Sequence, residues 1–315
     1  MTLPNRRSVL KTLSLLPTAN LVAKPSLGEN LKRREPIRLG LIADLHGGLA
    51  NDATLRLDCF VESMKQKNCD AVLQMGDFAF PNSAHQSFVE RLEETNSELV
   101  HVIGNHEFDF GLKRHDIYAA WSIKSSFYRR DVQWIRILVL DGNEVGSPLH
   151  RGGYPSFIGE EQSRWLESEL HASDKPILIL SHQPLAGHGA INNWKTIQNL
   201  LTEHQNKIIA CINGHSHLDA AWEVNGVHYL HANSASYFWV GGKTRMAYYA
   251  APLFTTLTID PETRTLVTEE SVSQWKNQSP KEIGYFDRPN HAPQAHVSPT
   301  ISQRSIPLHP QLMLG

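Results

Sequence analysis

The chain has 315 residues, of which 41% are hydrophobic and 20% are charged, a balance typical of a globular protein with a buried core. Its 30 basic and 32 acidic side chains give a formal net charge of -2, so there is no global basic field for a nucleic acid polymer or an anionic membrane. Three cysteines, Cys59, Cys69 and Cys211, are too few for a disulfide framework or a cysteine-rich zinc module, and we interpret them as small core residues.

The N-terminus carries an arginine pair, Arg6 and Arg7, followed by an apolar stretch over residues 12–23. The arrangement resembles a twin-arginine export signal. We therefore predict an export signal over residues 1–23 and a linker over residues 24–36. The resemblance implies transport by the twin-arginine machinery to the periplasm or the cell exterior, with peripheral membrane association left open. No integral membrane span is expected, because the apolar stretch is shorter than the roughly 20 residues that a spanning helix needs.

The first half of the remaining chain repeats one pattern of elements. Apolar runs over residues 37–43, 71–75 and 99–103 predict buried strands. Helical spacing over residues 54–67 and 88–94 predicts the helices between them. A strand, a helix and a second strand in this order indicate parallel crossover units, and hence an α/β fold.

The second half continues this pattern. We predict strands over residues 132–140, 176–180 and 207–212, helices over residues 159–171 and 194–203, and antiparallel closing strands over residues 227–230 and 253–259. From residue 271 onward the chain is rich in Pro, Gln, Asn, Ser and His and shows little periodicity. We therefore predict a catalytic domain over residues 37–270 and an extended or disordered tail over residues 271–315.

Five short motifs follow the predicted strands and concentrate metal-ligating side chains. They supply two carboxylates, one amide oxygen and four imidazoles: Asp44, Asp77, Asn105, His46, His182, His215 and His217. Open α/β sheets place their sites at the carboxyl ends of the strands, so five separate segments can converge there. Imidazole and carboxylate ligands suit Mn, Fe and Zn. The sequence therefore predicts a site for two metal ions.

The order of the motifs, D-x-H, G-D, G-N-H-[DE], H and G-H-x-H, resembles that of the calcineurin-like metallophosphoesterase superfamily over residues 37–259. The resemblance implies a four-layer αββα sandwich of two mixed β-sheets flanked by helices. It also implies a binuclear centre of divalent or mixed-valence ions. Carried over to this sequence, the first metal takes Asp44, His46 and His217, the second takes Asn105, His182 and His215, and Asp77 bridges them.

The resemblance also assigns a catalytic role to His106, which would protonate the leaving oxygen or steady the transition state, with Glu107 orienting its ring. Two divalent ions, the carboxylates of Asp44 and Asp77 and a bridging hydroxide leave about one positive charge in a partly dry cleft, which attracts phosphate. Metal coordination lowers the pKa of bound water from about 15.7 toward about 7, so a metal-bound hydroxide can attack phosphorus directly.

Two differences from related families limit which group of the superfamily this chain resembles. Purple acid phosphatases place a tyrosine three residues after the bridging aspartate, where this chain has Phe80, so no tyrosinate ligand to iron is expected. The G-D-x-V-D-R-G block of Ser/Thr protein phosphatases is also missing after Asp77, which disfavours protein substrates. What remains resembles a bacterial group that contains cyclic-nucleotide phosphodiesterases and nucleotide-diphosphate hydrolases.

We therefore predict a hydrolase of phosphodiesters or other small phosphorylated substrates. Two alternatives stay open: a phosphomonoesterase that scavenges phosphate, and a non-catalytic protein-binding scaffold on the same fold. The aromatic segment over residues 233–239 is a candidate for stacking a nucleobase. Phe108, Arg130 and His188 are candidates for the surroundings of the site.

Overall fold

The strands of the protein coincide largely with the predicted apolar runs. The computed structural model describes residues 34–242, 245–285 and 295–313. The predicted export signal and most of the predicted linker lie outside these residues. In chain order the strands are β1 Ile37–Ile42, β2 Ala71–Gln74, β3 Glu98–His101, β4 Tyr128–Val132, β5 Ile135–Leu140, β6 Ile177–Ser181, β7 Ile208–Asn213, β8 Asp219–Val224, β9 Val227–His231, β10 Tyr237–Gly241, β11 Arg245–Tyr248, β12 Thr255–Asp260, β13 Thr265–Thr268, β14 Ser271–Val272, β15 Ala295–His296, β16 Thr300–Ile301 and β17 Arg304–Pro307.

The helices form where apolar residues recur at helical spacing. In chain order they are α1 Ala53–Lys67, α2 Gln86–Glu93, α3 Arg114–Trp121, α4 Glu160–Ala172 and α5 Trp194–Glu203. Leu57, Phe60 and Met64 lie on the buried face of α1, and the helix ends where Asn68 adopts left-handed backbone with φ 49°. Among the described residues, no helix combines the length and apolar character that crossing a membrane requires.

Two mixed sheets pack face to face and form the middle of a four-layer sandwich. The first sheet has the order β17-β13-β12-β1-β2-β3 and the second β15-β8-β9-β7-β6-β5-β4. Side chains such as Leu39, Leu73, Val139 and Leu180 form the core between them. Helices α1 to α3 cover the outer face of the first sheet and α4 and α5 that of the second. The predicted αββα fold is confirmed.

Pairing of the central strands follows the prediction with one exception. β1, β2 and β3 are parallel to one another, as are β5, β6, β7 and β9. β12 runs antiparallel to β1, as predicted for a closing strand. β9 is antiparallel to β8 but parallel to β7, so it extends the parallel set rather than closing it.

The described part of the segment predicted as an extended or disordered tail from residue 271 contains short extended strands, one of which belongs to the first sheet. β17 pairs antiparallel with β13 at the edge of the first sheet, and Ile306 and Leu308 join the core between the sheets. The Arg304 guanidinium forms an ion pair 2.6 Å from the buried carboxylate of Asp219. The alternation of Ile306 and Leu308 is too short to stand out among polar residues, so the sequence did not indicate that this segment pairs with the sheet.

Two smaller differences from the predictions concern one strand and one cysteine. The single strand predicted over residues 132–140 is a hairpin, β4 and β5, and the exposed Arg129, Arg130 and Asp131 hide the apolar pattern of its first strand. Cys69 and Cys211 are buried as predicted, whereas Cys59 is exposed on α1.

Candidate metal centre

Seven predicted ligands meet at the carboxyl ends of the central strands. Asp44 and His46 follow β1, Asp77 follows β2 and Asn105 follows β3 in the first sheet. His182 follows β6 in the second sheet, and His215 and His217 follow β7. The turns after β1 and β2 are joined by backbone hydrogen bonds: the N–H of Asp44 donates to the Gly76 carbonyl and that of His46 to the Asp77 carbonyl.

Left-handed backbone is concentrated at this site. Asp44, His46, Asp77, His215 and His217 have φ values between 49° and 64°, a region that non-glycine residues seldom occupy. These residues turn the chain within a few residues of the strand ends, and their side chains meet in the clusters described below. Strain of this kind clusters at functional sites because the surrounding structure must hold it in place.

Two glycines allow the turns to approach closely. A Cβ at Gly104 would collide with the carboxylate of Asp77, and one at Gly214 would lie 2.6 Å from Oδ2 of Asp44. Any side chain at either position would therefore fill space that the carboxylates occupy. This close approach accounts for the glycine before Asn105 and the glycine before His215.

The first cluster consists of Asp44, His46 and His217, whose ligand atoms lie within 4.8 Å of one another. The Nε2 atoms of His46 and His217 are 3.2 Å apart, and Nε2 of His217 is 3.3 Å from Oδ1 of Asp44. Nδ1 of His217 lies 2.7 Å from the Tyr237 carbonyl, so it carries the hydrogen and Nε2 presents a lone pair. Burial lowers the pKa of His46 to about 3 against the opposing charge of Asp77, which keeps this ring neutral.

The second cluster consists of Asp77, His182 and His215, again within 4.8 Å. Nε2 of His182 is 3.2 Å from Oδ2 of Asp77 and 3.3 Å from Nδ1 of His215. Nδ1 of His182 donates to the Met75 carbonyl at 2.8 Å, so Nε2 is the nitrogen that faces the carboxylate oxygen of Asp77. Burial lowers the pKa of His182, but the carboxylates of Asp77 and Asp44 outweigh it and raise the pKa to about 10. The pocket therefore favours a positive charge at this point.

The donor set fits a pair of cations on independent observations. Oδ1 of Asn105 and Nδ1 of His46 are buried and lack a hydrogen-bond partner, whereas nearly all buried polar atoms in proteins have one. Imidazole nitrogens face one another and a carboxylate at hydrogen-bond distance, an arrangement that a cation between them would stabilise. Asp77 also forms a group with His46 and His106 whose ligand atoms lie within 4.8 Å of one another, so its carboxylate adjoins a residue of the first cluster as well, as a bridging ligand would.

His106 lies beside these clusters and is held by two residues that the sequence analysis missed. Its Nδ1 is 2.7 Å from Oδ2 of Asp109, and the Tyr154 hydroxyl donates to Oδ1 of the same carboxylate at 2.6 Å. Nε2 of His106 lies 4.0 Å from Oδ2 of Asp77. Burial lowers the pKa of His106, but Asp77 and then Asp109 outweigh it, so the net shift is upward. The neighbouring carboxylates therefore favour the protonated form of the ring.

Glu107 does not orient the His106 ring as expected. Its carboxylate accepts hydrogen bonds from the backbone N–H groups of Gly104 at 2.7 Å, Phe78 at 2.7 Å and Asp77 at 3.1 Å. Three donors favour the ionised carboxylate, while burial and the charge of Asp77 act in the other direction and raise the pKa of Glu107 to about 8. Glu107 therefore ties the turn after β2 to the turn after β3.

A cleft with a volume of about 690 Å³ opens onto the clusters. His46, Asp77, Asn105, His106, His215 and His217 line it, and so do Tyr237, Phe238 and Trp239 of the aromatic segment. Of the three further candidates, only His188 lines the cleft. Arg130 pairs with Glu98, and Phe108 packs under the Arg114 guanidinium.

The spacing of residues along the chain could have indicated one of the two missed partners of His106. Asp109 lies three residues after His106 within the 3₁₀ helix His106–Gly111, and residues three apart in such a helix share a side. Tyr154 comes from the loop between β5 and α4, and no local pattern connects it with His106.

The comparisons with known proteins agree with this geometry. The family model described as calcineurin-like phosphoesterase matches residues 37–219, more than half of the chain. The protein therefore belongs to the calcineurin-like metallophosphoesterase superfamily, whose residue pattern accounts for the fold and the clustered His and Asp side chains.

Two solved structures resemble the chain in fold. A dimetal phosphatase from Danio rerio is 16% identical, with a TM-score of 0.55 over 74% of this chain and 95% of its own. GAP50, described as the anchor in the inner membrane complex of Plasmodium, is 12% identical, with a TM-score of 0.56 over 85% of this chain and 90% of its own. At this identity the likeness shows the fold alone. Among curated proteins, none matches the sequence.

Proposed function

We propose that this protein is a metal-dependent phosphoesterase that hydrolyses phosphodiester or small organic phosphate bonds. The observation that carries the proposal is the convergence of seven ligand side chains from two sheets, with the Asn105 amide oxygen buried and unpartnered. Desolvating so many polar groups is costly unless something binds them. A scaffold has no need of such an arrangement.

The proposed ligands of one cation are Asp44, His46 and His217, and those of the other are Asn105, His182 and His215, with Asp77 shared. Bound Mn, Fe or Zn ions would lower the pKa of coordinated water and offset negative charge on the phosphoryl oxygens. The carbonyls of Tyr237 and Met75 fix the tautomers of His217 and His182, so each ring keeps Nε2 as a ligand atom. The turns after β1, β2 and β3 hold the carboxylates and the amide.

His106 is the proposed proton donor to the leaving oxygen. Asp109 accepts the hydrogen of Nδ1, which leaves Nε2 as the position for the transferred proton. The carboxylates of Asp77 and Asp109 raise the pKa of the ring, which favours the protonated form that a general acid needs. Tyr154 donates a hydrogen bond to the other oxygen of Asp109, so the His106–Asp109 pair keeps its orientation without help from Glu107.

The experiment that tests the proposal measures metal content and hydrolysis together. Purified protein should contain stoichiometric Mn, Fe or Zn and should hydrolyse bis(p-nitrophenyl) phosphate or p-nitrophenyl phosphate in a chelator-sensitive way. His217→Ala should lose metal and turnover, whereas His115→Ala, which removes an exposed histidine of α3, should keep both. Protein without bound metal and without chelator-sensitive hydrolysis would instead support the scaffold alternative.

We also propose export by the twin-arginine route to the periplasm or the cell exterior. The support is the Arg6-Arg7 pair and the short apolar stretch after it. Because that route carries folded proteins, it suits a chain whose metal ligands come together only on folding. Replacing both arginines with lysine should retain the protein in the cytoplasm, and unchanged export would refute the proposal.

A further inference from the structure

The cleft beside the metal clusters has a wall of aromatic side chains. Tyr237 lies nearest the clusters: its ring stacks on His46 with centroids 4.8 Å apart and contacts His217 at 5.1 Å. Trp239 follows two residues later on β10, so it shares the face of Tyr237, and Met246 of β11 is its cross-strand partner. All three line the cleft. The wall therefore runs from the ligands outward.

The outer part of this wall is exposed although it is apolar. Trp239 is 54% exposed and Phe110 is 85% exposed. The indole N–H of Trp239 donates to the Gly242 carbonyl at 3.0 Å, which fixes the ring, and Phe110 packs edge-on against Phe80 at 5.0 Å. Large exposed rings that are held in place beside a cleft are typical of a binding surface rather than of the hydrophobic core.

Charge in the cleft limits what can bind there. Among the described residues that line it there is no lysine or arginine, while Asp109 adds a carboxylate. Phosphate groups beyond the one at the clusters would therefore meet no cationic partner on the described walls. A diester monoanion with one phosphate and an apolar substituent suits this distribution better than a nucleotide diphosphate does.

Resting on the proposed function, we infer that the wall of Tyr237, Trp239 and Met246, together with the exposed ring of Phe110 in the same cleft, selects phosphodiesters that carry a planar aromatic substituent, such as a nucleobase or an aryl group. The phosphate lies at the metal clusters and the flat ring stacks along the wall, chiefly on Trp239. A volume of about 690 Å³ is within the range of pockets that enclose a small organic ligand.

Calorimetric titration of the manganese-loaded protein tests this inference without relying on turnover. Diphenyl phosphate and diethyl phosphate carry the same charge and differ in their aromatic rings. The wild type should bind diphenyl phosphate about tenfold or more tightly than diethyl phosphate, a size of effect typical of ring stacking and burial. Trp239→Ala should reduce this preference to about twofold, and Trp239→Phe should restore most of it.

Two controls make the outcome decisive. Trp194→Ala removes another exposed tryptophan, on α5, and should keep the wild-type preference. Cyclic adenosine monophosphate and the corresponding base-free cyclic ribose phosphate show whether the wall also takes a nucleobase. Equal binding of diphenyl and diethyl phosphate by the wild type would overturn the inference while leaving hydrolysis intact. If the wild type hydrolysed no phosphoester but still bound diphenyl phosphate more tightly in a Trp239-dependent way, only the proposed function would be overturned.

Discussion

Replacing Glu107 with glutamine separates the role that the structure gives this residue from the one expected from the sequence. The carboxylate accepts three backbone N–H bonds, from Gly104, Asp77 and Phe78. Its Oε2 takes two of them and its Oε1 takes one. An amide has a single carbonyl oxygen, so at best two of the bonds survive and the new NH₂ group meets an N–H donor.

The expected loss of stability follows from these contacts. A buried hydrogen bond to a charged acceptor contributes about 1.5 to 3 kcal/mol, and opposing two donors adds a desolvation cost. We therefore expect Glu107→Gln to lower the free energy of unfolding by about 2 to 4 kcal/mol. Metal affinity should fall as well, because the tie between the turns that hold Asp77 and Asn105 is weakened.

Urea unfolding of the metal-loaded protein near neutral pH measures this loss. Glu160→Gln is the matched control, since Glu160 is exposed on α4 and pairs only with Arg164 among the described residues; its unfolding free energy should stay within about 0.5 kcal/mol of the wild type. If Glu107→Gln kept wild-type stability and metal content but lost turnover, Glu107 would act through His106 and our interpretation would be wrong.

Three further predictions concern catalysis, acid stability and metal removal. His106→Ala should lower kcat by about 10²-fold or more with metal content retained, and Asp109→Asn should lower kcat by less; wild-type turnover in the alanine variant would remove the proposed role. Burial lowers the pKa of His101 to about 4, so the unfolded state takes up its proton first as the pH falls. The stability that the neutral ring contributes is then complete above about pH 6.5 and lost toward pH 4, by up to about 3 kcal/mol. His101→Phe, which keeps a ring against Trp121, should flatten that loss in unfolding curves across this range, and an equally steep loss would contradict the assignment. Chelation should lower the melting temperature by several degrees, because a ligand at a hundred times its dissociation constant stabilises the folded state by about 2.7 kcal/mol; added Mn should restore it, and an unchanged melting curve would argue against a resident metal.

The sequence was sufficient to predict the central strands and the convergence of the ligands because both depend on local patterns, and the resemblance of the motifs to a known family implied the sandwich. Asp44 and Asp77 each end an apolar run, and the carboxyl ends of parallel strands share one edge of a sheet. The partners of His106 were a different matter. Tyr154 reaches it from a long loop, and Glu107 was assigned to the ring only because it is adjacent in the chain. Adjacent residues in a tight turn point in different directions, and here the glutamate points back to the backbone.

The C-terminal strands show a second limit of local reasoning. Ile306 and Leu308 are buried only because β13 offers a free edge to β17, and no property of the segment itself indicates that edge. The aromatic segment was identified as a candidate because its rings are clustered, and the structure adds which of them face the cleft.

Division of the proposed ligands between the two sheets has a consequence for the life of the chain. Neither sheet alone carries a complete set, since Asp44, Asp77 and Asn105 belong to one and His182, His215 and His217 to the other. If the proposed ligand sets are right, a partly synthesised chain that ends before β7 lacks ligands for both cations, however well its first strands have folded. Tight cation retention would then require the completed chain, and the bound ions would link the two sheets to each other.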